Sequence, residues 1–212
     1  DGNHAYVTGY MDQAVSWYER NASTGSLSYL GILKGSLSGL YGPIGAENVT
    51  LSADGNHAYV TSYDGSAVSW YERNASTGAL TYGGLLQDGI NMIYGLYRPQ
   101  SVKLSAGGNH AYIISLDGDA VSWYERNAST GALTFGGMLK DGVNGVDGLD
   151  GARGVTLSLD GNHAYITGNN DHAVSWYERN ASTGALTFGG LLRDGVGGVD
   201  GLHYAESVTL SS

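Results

Sequence analysis

The sequence predicts an all-β fold, a β-propeller, and three observations predict it. The string Asn-His-Ala-Tyr recurs with its histidine at His4, His57, His110 and His163, a constant interval of 53 residues in a chain of 212. The run Ala-Val-Ser-Trp-Tyr-Glu-Arg-Asn-Ala-Ser-Thr-Gly returns unchanged from Ala14, Ala67, Ala120 and Ala173. Glycine, at 35 residues against 2 prolines, punctuates every segment, and no segment carries a sustained apolar stripe of helical period. A repeat of this length built from short strands belongs to propellers and related arrays. The period fills the chain, giving one repeat domain over 1–212 with units of about 1–53, 54–106, 107–159 and 160–212. No leader, tail or second domain is expected.

Each unit reads as four strands. In the last complete set, Val155 and Leu157 alternate with Thr156 and Ser158, a half-buried strand of period two. Asp160-Gly161 is a two-residue hairpin, because a type I′ turn needs positive φ where glycine is cheap. Ala164 to Thr167 is the second strand and Ala173 to Arg179 the third, both rich in β-formers. Asn180 to Gly184 closes a longer hairpin, and Ala185 to Phe188 is the fourth strand. A Gly- and Asp-rich connection from Gly189 to about Glu206 then crosses to the next unit.

Composition narrows the partners. A formal charge of −10 repels phosphate backbones and anionic lipid, so neither nucleic acid nor membrane insertion is expected. The absence of cysteine excludes disulfides, thiolate catalysis and Cys-ligated zinc. No apolar stretch approaches the roughly 20 residues that span a bilayer. A start at Asp1 without Met fits a removed signal peptide or an excised piece, and the expected location is extracellular or periplasmic.

The strings Asp54-Gly55-Asn56-His57-Ala58-Tyr59-Val60-Thr61, Ala67 to Arg73 and Thr77-Gly78-Ala79-Leu80-Thr81 resemble the blade consensus of YVTN-type, lactonase-like bacterial β-propellers. The connection from Leu139 to Arg153 is similar to their inter-blade segment. The resemblance covers all four repeats and implies the propeller fold, with lactonase activity known in the family. It places no catalytic residue on a matching position here. Two departures are the four units, where the family usually has seven, and the Trp in every third strand.

The termini fall inside a blade. Ser207 to Ser211 reads as a first strand, and Ala5 to Thr8 lacks one, so the ring is expected to close by a one-plus-three blade. Closure is open between one chain, giving four blades, and two chains, giving an eight-bladed dimer, and strand exchange at the termini makes self-association a candidate partner mode. Val208 and Leu210 are expected beside Tyr6 and Thr8.

Candidate chemistry is sparse. The repeated histidines lie about a blade apart and cannot share a metal, so a structural role is expected. Asp141, Asp147 and Asp150, with Asp194 and Asp200, offer oxygen ligands to calcium, but their spacing misses the known loops and turn formation explains them. No metal or other cofactor is expected. Asn21, Asn74, Asn127, Asn180 and Asn48 open glycosylation sequons and read as turn residues in a bacterial chain. The Glu and Arg of Trp-Tyr-Glu-Arg suggest a cross-strand pair or turn anchor. Trp17, Trp70, Trp123 and Trp176 are expected in the core between blades, with a sugar-stacking role as the alternative.

The repeats differ in the loop between second and third strands and in the inter-blade connection, which open on one face. That face, with Tyr41, Tyr94, Tyr97, Arg98, Arg153, His172, His203 and Tyr204, is the expected ligand surface. No nucleophile elbow, zinc-protease pair, P-loop or dinucleotide fingerprint is present. The near identity of the repeats also argues against one active site, which needs asymmetry at the ring centre. The resulting expectation is a non-catalytic recognition or assembly scaffold with a glycan or protein ligand and no catalytic residue. A lactonase-like hydrolase and a structural module of a longer array are the alternatives.

Overall fold

The computed structural model describes residues 2–35 and 42–211, and every element in it is a strand or a turn. The first blade has three strands, β1 (His4–Gly9), β2 (Ala14–Arg20) and β3 (Leu27–Lys34). The second holds β4 (Ala46–Leu51), β5 (His57–Ser62), β6 (Ala67–Arg73) and β7 (Leu80–Gln87). The third holds β8 (Pro99–Leu104), β9 (His110–Ser115), β10 (Ala120–Arg126) and β11 (Leu133–Lys140). The fourth holds β12 (Ala152–Leu157), β13 (His163–Gly168), β14 (Ala173–Arg179) and β15 (Leu186–Arg193). Each is an antiparallel meander, paired in chain order.

Blades stand side by side around their innermost strands, β1 against β4, β4 against β8 and β8 against β12. The core therefore lies between sheets. Tyr112, Ile114, Val121 and Trp123 of the third blade pack on Ala164, Ile166, Tyr177 and Leu186 of the fourth. Tyr59, Val68 and Trp70 meet Ala111, Ile113, Tyr124 and Leu133 in the same way one boundary earlier. Aliphatic side chains buried this fully contribute roughly 1.5–3 kcal/mol each. One blade has no partner for either face alone, which is why the unit needs its neighbours.

The fourth strand is longer than its β-formers suggest. β15 runs through Gly189-Gly190 to Arg193, which pairs with Ala173. Sequence reading ends the strand at Phe188 because two glycines resemble a turn. They serve instead as a bed for the indole of the neighbouring strand. A Cβ on Gly31, Gly84, Gly137 or Gly190 would lie 2.2–2.5 Å from Cζ2 of the Trp beside it, so only glycine fits under the ring. Leu30 stands one residue earlier in the first blade, where the other repeats have Gly83, Gly136 and Gly189, so the second glycine is the obligatory one. Leu96 and Leu149 from the connections close over Trp70 and Trp123, which are 8% and 9% exposed. Trp17 and Trp176 stay half-buried. This packing sides with the core reading of the tryptophans.

A clasp crosses every blade boundary. Arg73 donates from Nε to the Tyr6 hydroxyl at 2.7 Å, its Nη2 lies 2.9 Å from His4 Nδ1, and Tyr6 donates to the Gly78 carbonyl at 2.7 Å. Arg126 does the same with Tyr59 and His57, and Arg179 with Tyr112 and His110. The histidines are structural, as expected. The Arg of Trp-Tyr-Glu-Arg is the turn anchor expected, donating from Nη1 to the Gly55, Gly108 and Gly161 carbonyls of its own blade. It also reaches the preceding blade, while Glu72 and Glu125 point to solvent. Asn21, Asn74, Asn127 and Asn180 each accept two backbone N–H groups from the Ser and Thr that follow, the turn role expected. Asn48 departs from that reading: it lies in β4 and accepts from Thr50 and from the Val102 N–H of the next blade.

Among the described residues the ring is not closed within the chain. Among the described strands β1 pairs only with β2. Residues 205–211 form no strand, and Glu206 and Ser207 lie against Gly154 of β12, on the far side of the fourth blade. Val208 and Leu210 are thus not beside Tyr6 and Thr8 of the same chain. The physical reason is the chain-order packing: the end of the chain continues the series past β12 instead of turning back to β1.

Candidate functional site

The innermost strands carry an irregularity at the same place in three blades. Pairing of β4 with β5 slips between Ala46 and Asn48, of β8 with β9 between Pro99 and Ser101, and of β12 with β13 between Ala152 and Gly154. The extra residues are Glu47, Gln100 and Arg153. A bulge re-aims its side chain, and bulges gather beside functional sites. Here they sit where the innermost strands meet the loop face, one per blade, with Glu206 next in the series. Arg153 Nη1 lies 3.4 Å from Glu206 Oε2, and Asn169 Nδ2 donates to Glu206 Oε1 at 3.2 Å. Arg153 Nε is buried without a hydrogen-bond partner. Burial pushes the Glu47 carboxyl above the usual carboxylate range, and the charge of Arg153 pulls it partly back. Glu47 and Arg153 are both half-buried; such a carboxylate can accept a proton, and such a guanidinium can stabilise developing negative charge.

Where the connection from the second blade meets the third lies an open cleft of about 360 Å³, lined by Asp88, Tyr94, Tyr97, Asp117, Met138 and Lys140 among others. Tyr94 and Tyr97 are exposed, and Arg98 borders them, held by a 2.6 Å ion pair to Asp117 and lying over the rings of Tyr63 and Tyr97. Asp88 anchors the connection by accepting the Leu96 N–H at 2.9 Å. The same positions one period later carry carboxylates in place of tyrosines. Asp141, Asp147 and Asp171 are, among the described residues, the one acidic group close enough to share a metal. Arg193 Nη2 lies 2.8 Å from both Asp147 and Asp171, and Asp141 accepts the Leu149 N–H. Asp194 and Asp200 likewise accept backbone N–H groups, from Leu202 and Gly201. Burial raises the Asp171 carboxyl, with the Asp150 N–H and Arg193 opposing it.

The eight residues expected on the ligand surface fall into three groups. Tyr94, Tyr97 and Arg98 share the cleft. Arg153 belongs to the axial mouth. His172 and His203 stack at 4.2 Å, Tyr204 meets His172 edge-on at 4.7 Å, and the Tyr204 N–H donates to His172 Nδ1. Tyr41 lies outside the described residues. The two divergent loops do open on one face, since His172 in one touches Tyr204 in the other. Glu47, Gln100 and Glu206 escaped sequence reading. Their signal was a position that changes from Glu to Gln to Arg to Glu at intervals of 53 residues inside an otherwise steady strand.

A model of the seven-bladed β-propeller lactonase family matches residues 1–142. The chain belongs to that family. Among solved structures it is similar to the periplasmic gluconolactonase of Pseudomonas aeruginosa, at 20% identity and TM-score 0.75 over 91% of this chain and 55% of that one. It also resembles proteins provisionally named 6-phosphogluconolactonase from Bacteroides uniformis (15% identity, TM-score 0.72, 89% of this chain and 50% of that one) and Bacteroides fragilis (18%, 0.68, 89% and 51%). The chain spans about half the length of each. Identities this low establish the fold alone. No curated protein matches the chain.

Membership of a lactonase family overturns the expectation of a non-catalytic scaffold without catalytic residues. The reasoning behind that expectation was that near-identical repeats leave the ring centre symmetric. The innermost strands also differ between repeats, since Glu47, Gln100 and Arg153 put three different chemistries at one repeat position. Among the described residues no helix is long and apolar enough to cross a membrane.

Proposed function

We propose that the chain belongs to a hydrolase that opens the lactone of a sugar acid, acting at the axial mouth. Family membership carries this reading, and the bulged residues supply groups suited to it. In the proposed step the Glu47 carboxylate takes a proton from water as the water oxygen adds to the lactone carbonyl. Arg153 donates to the carbonyl oxygen while it carries negative charge. The ring C–O bond then breaks, and Glu47 returns the proton to the leaving alkoxide. Partial burial suits Glu47 to this, since a raised pKa makes the carboxylate a stronger base. Arg153 brings an Nε without a partner. Glu206 pairs with the same guanidinium at 3.4 Å. Tyr94 and Tyr97 offer flat faces in the cleft on which a sugar ring packs. The net charge of −10 favours the uncharged lactone over its phosphate ester. A periplasmic setting is part of the proposal, supported by the P. aeruginosa neighbour.

The test is release of acid from gluconolactone and from 6-phosphogluconolactone, with spontaneous hydrolysis subtracted. Wild-type turnover of the uncharged lactone is expected, reduced about 100- to 1,000-fold in Glu47→Gln and about 100-fold in Arg153→Met. Absence of turnover with either lactone overturns the hydrolase reading. Full activity of Glu47→Gln removes Glu47 from the mechanism.

A further inference from the structure

The hairpin between the first and second strands reads Asp54-Gly55-Asn56 in the second blade and Asp160-Gly161-Asn162 in the fourth, but Gly107-Gly108-Asn109 in the third. The second blade shows what the carboxylate does. Asp54 Oδ1 accepts the Ser52 hydroxyl at 2.5 Å and the Asn56 N–H at 3.0 Å. Its Oδ2 lies 3.6 Å from Nη2 of Arg126, the arginine that crosses from the following blade. Asp160 accepts from Ser158 and Asn162 at the same two distances. Gly107 removes the acceptor and leaves its donors in place. The Ser105 hydroxyl accepts the His110 N–H, yet among the described residues neither its own proton nor the Asn109 N–H has an acceptor. Arg179 stands where Arg126 stands one boundary earlier and is 9% exposed. It holds Tyr112, His110 and the Gly161 carbonyl, and among the described residues no carboxylate pairs with it. The vacated space is open. A Cβ on Gly107 would meet only Asn109 Nδ2, at 3.8 Å. A cavity of about 220 Å³ lies there, lined by Ser105, Gly107, Asn109, His110 and Arg179, with Leu159 and Asp160 among the residues of the fourth blade that complete it.

We propose that this cavity binds the carboxylate of a small organic acid, which takes the place of the missing aspartate side chain. One ligand oxygen accepts from the Ser105 hydroxyl and the Asn109 N–H, and the other faces Nη2 of Arg179. Asn109 Nδ2 supplies a further donor, as Asn162 Nδ2 does to Asp160 Oδ2 at 3.2 Å. Charge-assisted bonds of this kind are the stronger ones, and a buried guanidinium without a counter-ion gains most from them. The donor set fits a flat, singly charged group. Asp160 borders the same cavity with its own carboxylate held by Ser158 and Asn162, and the chain carries a net charge of −10, so a phosphate dianion is disfavoured. The hairpin lies at the opposite end of the meander from the divergent loops. The site is therefore separate from the cleft of Tyr94 and Tyr97, and it stands whether or not the chain hydrolyses lactones.

Sodium acetate is the probe, titrated at neutral pH against sodium chloride of equal ionic strength. Acetate is expected to raise the melting temperature saturably where chloride does not, and to shift the Asn109 amide resonance with the same midpoint. Gly107 has no positive φ, so Gly107→Asp is accommodated and supplies the carboxylate from the chain itself. That variant should melt above the wild type and gain nothing further from acetate. Ser105→Ala leaves the Arg179 clasp intact and should raise the dissociation constant for acetate about 10-fold, the loss of one hydrogen bond to a charged group. An acetate effect no larger than that of chloride overturns the proposal. So does a gain from acetate that survives in Gly107→Asp, or an Asn109 amide that stays fixed while the melting temperature rises.

Discussion

Nη2 of Arg126 lies 2.9 Å from Nδ1 of His57, 69 residues earlier in the chain and across the boundary between the second and third blades. The same guanidinium donates from Nε to Tyr59 and from Nη1 to the Gly108 carbonyl of its own blade. Arg126 is 5% and His57 4% exposed. A buried charge is stable only when its hydrogen bonds are made, so one side chain fixes both the spacing and the register of two sheets. This explains why Arg, His and Tyr recur without change while the loops vary.

Arg126→Met is therefore expected to destabilise the chain by about 2–4 kcal/mol, since the Tyr59 hydroxyl and His57 lose a charged donor within a packed boundary. Arg20→Ala, which removes an exposed hydrogen bond to the Gly2 carbonyl, should cost little. Urea unfolding of both variants measures the contrast. Equal losses would mean that the clasp stabilises within a blade rather than between blades.

Acidification acts on the same boundaries. Burial, with the nearby Arg126 and Arg179 charges next, holds His57 and His110 below the ordinary histidine range; Asp54, Glu72 and Glu125 oppose the shift. A proton taken up by the unfolded chain near pH 6.5 is then refused by the folded one. Stability should decline as pH falls from about 7 to about 5. The melting temperature of the double variant His57→Gln, His110→Gln should vary less over that window, although its value at neutral pH is lower. An unchanged acid slope would place the titration elsewhere.

The indole bed offers a steric test. A Cβ on Gly84 would stand 2.2 Å from Cζ2 and 2.7 Å from Cε2 of Trp70. Gly84→Ala should cost about 1–3 kcal/mol, the usual range for overpacking. Trp70→Leu in the same chain should recover part of that loss by vacating the space. A double-mutant cycle from thermal melts reads the coupling. Additive losses would show that the ring and the glycine do not share that volume.

Blade number, strand order and hairpin turns were legible because period-two alternation and Asp-Gly or Asn-to-Gly turns are local signals. The clasp was legible only in part. Constancy of His and Arg showed a structural role, but their meeting joins residues 69 apart in the chain, and nothing local links them. The axial site hid for another reason. Divergent loops drew attention to Tyr94, Tyr97 and His172, whereas Glu47 and Gln100 vary inside strands. Each is the extra residue of a bulge, and a bulge is a register property that alternation does not reveal. Gly189-Gly190 misled in the opposite direction, since glycine beside an aromatic ring looks in sequence like a turn.

Under the proposed hydrolase reading, substrate binding in the cleft can be told apart from chemistry at Glu47 and Arg153. Tyr94 and Tyr97 are exposed and Arg98 pairs with Asp117 at the surface, so none of the three supports the core. Arg98 nonetheless stands only two residues before Gln100 in the chain. If the sugar ring lies across the tyrosines while its carbonyl meets Arg153, the joint change of Tyr94, Tyr97 and Arg98 to Ala removes contacts made equally in ground and transition states. KM for the lactone should then rise about 10-fold or more with kcat nearly kept, and the melting temperature should move little. Glu47→Gln should show the reverse pattern, a fall in kcat at a similar KM. A triple variant that loses kcat and keeps KM would move the chemistry from the axis into the cleft, and one with unaltered kinetics would take the cleft out of substrate binding.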